Sequence, residues 1–365
     1  MKLECQIEKL KLAINQTDRV TGKNLSLPIL NSILLIASGS SLKLRATNLS
    51  LGVEVEIPAK VEKEGVAAIQ GNVLNNLFSS MNQSQAVTLE LKDENLLITT
   101  KQHRLLVKNY PPDDFPTIPL VSGESFSIPV KKFIDGIQSV FYSSSVSDIK
   151  PEISSVYIYP EDDYLVFVAT DSFRLAEKKV KVSKKIDFSG ILIPFKNISE
   201  IIRIFNETED DIKIEFNKNQ ISISAKNVYA TSRLIDGIFP DYKQIIPKNH
   251  TTEAVLLKQD FLNALKISNI FSDKFNQINF SLKPKSKIFE IFSKNSDVGE
   301  NKTSIEGALS GDDVELSFNY KYILDCFQSI TSDSVSLLFN GPQKPMIIRG
   351  VSDQSYMYLV MPMNR

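Results

Sequence analysis

Residues 164–176 read YLVFVATDSFRLA, a β-branched and aromatic run that ends in Ala169-Thr170-Asp171. Such a run reads as a strand, and the small polar triplet as its end or the loop after it. The punctuation recurs. Ala46-Thr47-Asn48 follows the run LKLR, and Ser293-Lys294-Asn295 follows IFEIF, at steps of about 124 residues. A second landmark keeps the step: Asp114-Phe115-Pro116 in YPPDDFPTIP returns as Ile238-Phe239-Pro240 in GIFPDYKQIIP. A third is the opening of a helical pattern at Gln70, Pro194 and Phe318. Three landmarks on one period mark a triplicated unit. Triplication builds a symmetric object, and such objects work by shape more than by one reactive centre.

The chain has 365 residues, 42% hydrophobic and 23% charged, an ordinary globular composition. The period divides it into 1–122, 123–247 and 248–365. Each part is near the commonest domain size and long enough to bury a core. Ile7, Leu10, Ala13 and Ile14 share a helical face, whereas Leu51-Gly52-Val53-Glu54-Val55-Glu56-Ile57 alternates as a half-buried strand does. LPILNSILLIA (27–37) reads as one buried strand, and KKFIDGIQSVFYS (131–143) as a helix opened by Pro129. GNVLNNLFSSM, IPFKNISEIIRIF, LLKQDFLNALKISNIF and NYKYILDCFQSI read as further helices. Many antiparallel strands and two helices per unit give an α+β class, with helices segregated to one face of the sheet.

Forty-two Lys and Arg against 43 Asp and Glu leave a net charge of -1. That balance argues against holding nucleic acid by charge alone, but leaves room for a locally basic lining. Cys5 and Cys326 are isolated, so no disulfide framework or CxxC site is expected, and a reducing cytoplasm fits. The opening MKLECQIEKLKLAINQ carries charges every few residues, unlike a signal peptide or a membrane span, and no membrane partner is expected. No phosphate-binding glycine loop, dinucleotide fingerprint or nucleophile elbow occurs. His103 and His250 have no metal-ligand spacing, so neither metal nor cofactor is expected, and no catalytic residue is assigned. Asp162-Asp163 and Asp312-Asp313 read as turn residues.

ATDSFRLA (169–176), LIDGIFPDYKQIIP (234–247), LPIL (27–30), DDFP (113–116) and YLVMPM (358–363) together resemble the bacterial sliding clamp family, the beta subunits of DNA polymerase III. The order and separation of these motifs match over residues 1–365. The resemblance implies three clamp domains per chain, each with antiparallel sheets outside and two helices inside. Two chains would join head to tail as a homodimer and close a six-domain ring around duplex DNA. Such a ring tethers the polymerase III alpha subunit, the clamp loader and other proteins that carry a clamp-binding motif. It performs no chemistry of its own. A clamp-fold scaffold specialised for repair is the alternative.

Three sets of residues follow from the resemblance. Lys9, Lys11, Arg19, Lys23, Asn24, Lys131, Lys132, Lys150, Lys196, Arg203 and Lys258 would face DNA from the helices and nearby loops, positioning phosphates without reading bases. Ordinary solvated helix faces would look the same in sequence. Ile153, Thr170, Ser172, Phe173, Arg174, Leu175, Pro240, Gln244, Ile245, Leu359, Met361 and Met363 would form a groove for client peptides rich in Leu and Phe. The family commonly has Gly-His where Ser172-Phe173 stand, and a basic residue at Gln244. Lys101, Arg104, Leu105, Val107, Ile267, Ile270, Phe271, Asp297 and Glu300 would join the subunits, KQHRLLVK supplying an uncovered strand. Lys302 and Thr303 interrupt an acidic segment there, so closure leans on apolar contact.

Overall fold

The computed structural model describes residues 1–22, 26–81 and 85–363. The strand pairings among them are antiparallel, as an α+β chain without crossover helices requires. Two helices fall in each repeat: α1 (Ile7–Asp18) and α2 (Gly71–Ser79), α3 (Val130–Gln138) and α4 (Phe195–Phe205), α5 (Lys258–Ile270) and α6 (Tyr320–Asp325). The described chain forms two compact units, Met1–Ile134 with Lys196–Asp236, and Asp135–Phe195 with Gly237–Arg365.

The first unit holds two sheets. One has five strands in the order Lys60–Lys63, Lys2–Gln6, Ala86–Lys92, Asn95–Thr99, Arg104–Lys108. The other has eight and runs across the repeat boundary, because Val228–Arg233 pairs with Leu51–Pro58, Ser232 opposite Leu51. The second unit makes the same join. Tyr356–Val360 pairs with Arg174–Lys181, Val360 opposite Arg174, inside a nine-stranded sheet. A four-stranded sheet, Gly299–Ser304, Ile288–Asn295, Gln277–Lys283, Val314–Asn319, completes that unit. The units therefore cut across the sequence period: strands join one repeat to the next at an open sheet edge.

Apolar spacing explains the helix faces. Helix α1 buries Ile7, Leu10, Ala13 and Ile14 and packs against α2 and the strands at 41–47 and 51–58. Helix α5 buries Phe261, Ala264 and Leu265. The Phe261 ring meets Phe280 at 5.8 Å and Phe327 at 5.6 Å, and Phe280 meets Phe289 at 5.4 Å, an edge-on aromatic core.

Three expectations change. Residues 27–37 are not one strand: Pro28–Asn31 is a 3-10 turn and the strand is Ser32–Ser38. Pro28 lacks an N–H for the ladder and fixes its own φ. Helix α3 stops at Gln138, Val140 leaves helical angles at φ -126°, and Phe141–Ser143 forms a separate 3-10 turn. The last helix begins at Tyr320 rather than Phe318, capped by the Asn319 side chain on Lys321 N, and continues as a 3-10 turn Cys326–Ser329. Strands Lys2–Gln6, Glu124–Pro129 and Thr252–Leu257, each leading into the first helix of a repeat, escape the sequence reading.

Candidate functional site

The Ala169-Thr170-Asp171 turn is built by its own side chains. Thr170 Oγ1 donates to the Arg174 carbonyl at 2.7 Å and accepts from Ser172 N at 3.2 Å. Asp171 Oδ1 accepts from Phe173 N at 2.9 Å and Arg174 N at 3.0 Å. The turn holds Ser172 at φ +79°. The first repeat has the same turn. Thr47 Oγ1 donates to the Leu51 carbonyl and accepts from Leu49 N, both at 3.0 Å. Asn48 Oδ1 accepts from Ser50 N and Leu51 N, and Leu49 sits at φ +73°.

What hangs from the two turns differs. In the first repeat Leu51 is buried, and Ser50 Oγ accepts from Asn197 Nδ2 at 3.0 Å, which also donates to Ser232 Oγ at 2.8 Å. That junction is closed by polar contacts. In the second turn Arg174 takes the place of Leu51. Its Nε donates to Asp171 Oδ2 at 2.9 Å, Nη1 to Asp325 Oδ2 at 2.5 Å, and Nη2 to the Tyr142 carbonyl at 2.7 Å. The guanidinium lies 4.6 Å over the Tyr322 ring, and Phe173 stacks on the same ring at 6.4 Å and 24°. Tyr322 is the third residue of α6, as Asn197 is of α4.

The carboxy-terminal segment closes onto this turn: Met361 N donates to the Phe173 carbonyl at 2.8 Å, and Met363 N to the Ser317 carbonyl at 2.8 Å. Thr170, Ser172, Phe173, Arg174 and Met361 thus come together, with Tyr142, Tyr322 and Asp325 as members the sequence reading missed. The only signal for Tyr322 was its position in a helix whose opening recurs with the period. Leu175 and Leu359 face each other in the ladder and are fully buried, and Ile153 is buried too, so they belong to the core. Leu359, expected among the groove residues, is packed in the core. Of the apolar residues expected here, Phe173 is 59% exposed and Ile245 49%.

Pro240, Gln244 and Ile245 are exposed on a connector that Tyr242 anchors. Its hydroxyl donates to Glu177 Oε2 at 2.5 Å, with the Tyr159 hydroxyl at 2.7 Å, and Phe239 stacks on Tyr157 at 4.9 Å. Burial, then the Glu177 carboxylate, push the Tyr242 phenol up. Lys243 pairs with Glu161, which also accepts from Lys179 at 2.6 Å. Those two lysines hold the Glu161 carboxyl below its ordinary 4.5. Gln244 Nε2 donates to Asp241 Oδ2 at 2.7 Å.

Two of the sheet-edge strands lie where a joint was expected. Arg104–Lys108 ends the five-stranded sheet, with Leu105 and Val107 half-buried and Leu106 66% exposed. A cleft of about 350 Å³ between it and α2 is lined by Val73, Leu77, Leu105, Leu106 and Tyr110. In the other unit Gly299–Ser304 ends the four-stranded sheet. Beside it α5 exposes Ile267 and Ile270, and Phe271 reaches over Gly299. Lys101, Arg104 and Asp297 are exposed. Glu300 pairs with Lys294 at 3.5 Å and Lys302 with Glu290 at 3.0 Å, so acids and bases of this sheet satisfy one another.

The expected DNA-facing cations divide. Lys9, Arg19, Lys131, Lys132, Lys150, Lys196 and Arg203 are exposed, Arg203 beside Glu200 at 3.0 Å. Lys11 Nζ donates to the Ser79 carbonyl at 3.1 Å. Lys258 Nζ donates to the Ile330 carbonyl. Lys23 and Asn24 lie outside the described residues. Asp162 sits at φ +51° in the turn between Ser155–Glu161 and Tyr164–Thr170, as a turn residue does. Among the described residues, no group of three or more His, Cys, Asp or Glu side chains is placed to hold a metal ion, and no helix is long and apolar enough to cross a membrane.

Three family models match in sequence order: DNA polymerase III beta subunit, N-terminal domain over residues 1–119, central domain over 127–241 and C-terminal domain over 243–364. The beta sliding clamp of Rickettsia bellii is 28% identical over 377 residues, covering 99% of each chain. That of Synechococcus elongatus is 25% identical over 371 residues, again 99% of each. Among solved structures, the Thermotoga maritima DNA polymerase III beta subunit superposes with a TM-score of 0.94 at 24% identity, over 100% of this chain and 99% of that one. The Bartonella birtlesii sliding clamp bound to griselimycin gives 0.94 at 23% identity, over 100% of both.

Proposed function

The chain belongs to the DNA polymerase III beta-subunit family and is a DNA sliding clamp; from that premise we propose how this chain closes, what lines its hole and where its clients dock. Sliding clamps work with DNA and DNA polymerase III as homodimeric rings. In this one the domains are 1–122, 123–247 and 248–365, and two copies supply six. The protein acts as a processivity factor in the cytoplasm without catalysis of its own.

Closure adds the strand Arg104–Lys108 of one copy to Gly299–Ser304 of the other. The observation that carries this is that each of these strands is a sheet edge, one in each unit, flanked by exposed apolar residues. Strand addition at an open edge is also how the repeats join within the chain. Apolar contact from Leu106, Ile267 and Ile270 supports the joint more than charge does, because Glu300 and Lys302 already have partners in their own sheet. The exposed cations Lys9, Arg19, Lys131, Lys132, Lys150, Lys196 and Arg203 touch phosphates loosely. Topology keeps the ring on DNA, so each contact that adds affinity would only slow sliding.

Clients dock at the turn bearing Phe173, against Tyr322 and Met361, with the connector residues Pro240, Gln244 and Ile245. Arg174 orders this surface from beneath. The test is retention on nicked circular DNA before and after linearisation. Loss on linearising is expected, and equal retention on both forms would refute encirclement.

A further inference from the structure

We propose that the cleft between α1 and the segment after α4 is a second docking site, apart from the groove at Phe173, for a partner segment in which a basic side chain stands beside aliphatic ones. The cleft holds about 350 Å³ and lies wholly within the first unit, where the first two repeats share their eight-stranded sheet. Leu12 and Ala13 of α1, Val55, Ile57 and Pro58 of the strand Leu51–Pro58, and Val228 of the strand paired with it line an apolar floor. Leu12 is 40% exposed there, on a helix whose opposite face is core.

The polar groups of the cleft share one demand. Glu56, Glu207, Glu209 and Asp210 stand against Lys9 and Lys226, four acids to two bases. Glu207, Glu209 and Asp210 are exposed on one short segment and have no ion-pair partner among the described residues. Gln16 is an independent sign. Its side chain lines the cleft yet is only 8% exposed, and its Nε2 donates at 2.7 Å to the Ile204 carbonyl in the last turn of α4. Its Oε1 has no donor among the described residues. A buried carbonyl oxygen and three unpaired carboxylates ask for a positively charged donor, and the floor asks for a hydrocarbon stem. Lys and Arg side chains supply both, laying their methylenes on apolar surface and their charged heads on acceptors. An aliphatic neighbour on the same partner would cover Leu12.

DNA fits this cleft poorly, because a phosphate would meet the same acids. An adjoining cleft of about 220 Å³, which shares Leu12, Gln16 and Glu207, has the other character: Arg19 and Arg203 line it with Asn15 and Asn206. Helix α1 thus separates a place suited to phosphate from a place suited to a cation.

The test uses the full-length protein and two labelled, end-blocked tetrapeptides, Leu-Arg-Leu-Arg and Leu-Glu-Leu-Glu, read by fluorescence anisotropy at low salt. The Arg peptide is expected to bind at least about tenfold tighter. Glu209→Lys with Asp210→Lys is expected to lower its affinity about tenfold, and Leu12→Ser about threefold. Asp312 and Asp313, exposed in the other unit, control for loose attraction to any acidic surface. Asp312→Lys with Asp313→Lys is expected to change affinity less than about twofold. No preference for the Arg peptide, an equal loss in the control, or native affinity in Leu12→Ser overturns the site. So does a changed sedimentation of the Glu209→Lys, Asp210→Lys protein, which would make the cleft a joint between copies of this chain. None of these outcomes bears on the groove at Phe173, whose residues belong to the other unit.

Discussion

Ser172 shows how much a single backbone angle can carry. At φ +79° it occupies a region that costs a non-glycine residue about 1 kcal/mol. The hydrogen bonds of Thr170 and Asp171 hold it there, in the loop that presents Phe173. Ser172→Gly is expected to raise stability by up to about 1 kcal/mol, seen as a higher melting temperature, and a lower one would contradict the strain. Arg174 is a different case. Its side chain is largely buried and bonded to two carboxylates and a carbonyl. Arg174→Ala leaves Asp171 Oδ2 and the Tyr142 carbonyl without their guanidinium donors, a loss of about 3 kcal/mol in urea unfolding. Arg174→Lys should recover little, since an ammonium cannot reproduce a planar fork. Loss of peptide binding in either variant would report disorder of the turn, so Phe173→Ser separates recognition from folding where Arg174→Ala does not.

At the scale of elements, the connector and the open edges carry the predictions. The connector is pinned through Lys243 to Glu161, a partly exposed pair. The folded pKa of Glu161 lies below its ordinary 4.5, so its contribution is present above that value and is lost as pH falls through the depressed one. The difference in unfolding free energy between wild type and Glu161→Gln should be about 0.5–1 kcal/mol near neutrality and vanish as the pH falls well below 4.5. A difference constant with pH would sink the coupling. Helix α5 carries two jobs on two faces. Phe261 locks the aromatic core, whereas Ile270, 62% exposed, waits beside the open edge. Ile270→Asp should leave the unfolding transition nearly unchanged yet give a monomer in sedimentation. A dimer of unchanged strength would remove α5 from the joint.

For the whole molecule, the proposed closure gives a ring held shut by apolar contact and held on DNA by topology. Salt screens exposed ion pairs but not buried apolar area. The dimer is therefore expected to persist as sodium chloride rises, while the residual drag of the cationic residues on DNA falls. Sedimentation across a salt series checks the first, and a dimer that dissociates steeply with salt would return the joint to charge pairing. A net charge of -1 is consistent with this division of labour. Surface charge need only avoid repelling phosphate when closure does the holding.

Local pattern was enough to determine the triplication, the α+β class, the pairing of two helices with many strands per repeat, and the turn at 170–174. These follow from periodicity and from side chains that bond to their own backbone, interactions a few residues long. The strand before each first helix escaped because a run as short as the five residues Lys2–Gln6 is too brief for its alternation to outweigh the helix that follows. Residue type placed Arg174 in the groove and Lys258 among the DNA-facing cations, but only the fold decided that each also bonds a partner more than seventy positions away. It likewise decided that Leu175 and Leu359 are core while Phe173 is surface, and that Tyr322 lies under Phe173. Partners distant in sequence meet through sheet edges, and a one-dimensional pattern has no record of which edge meets which.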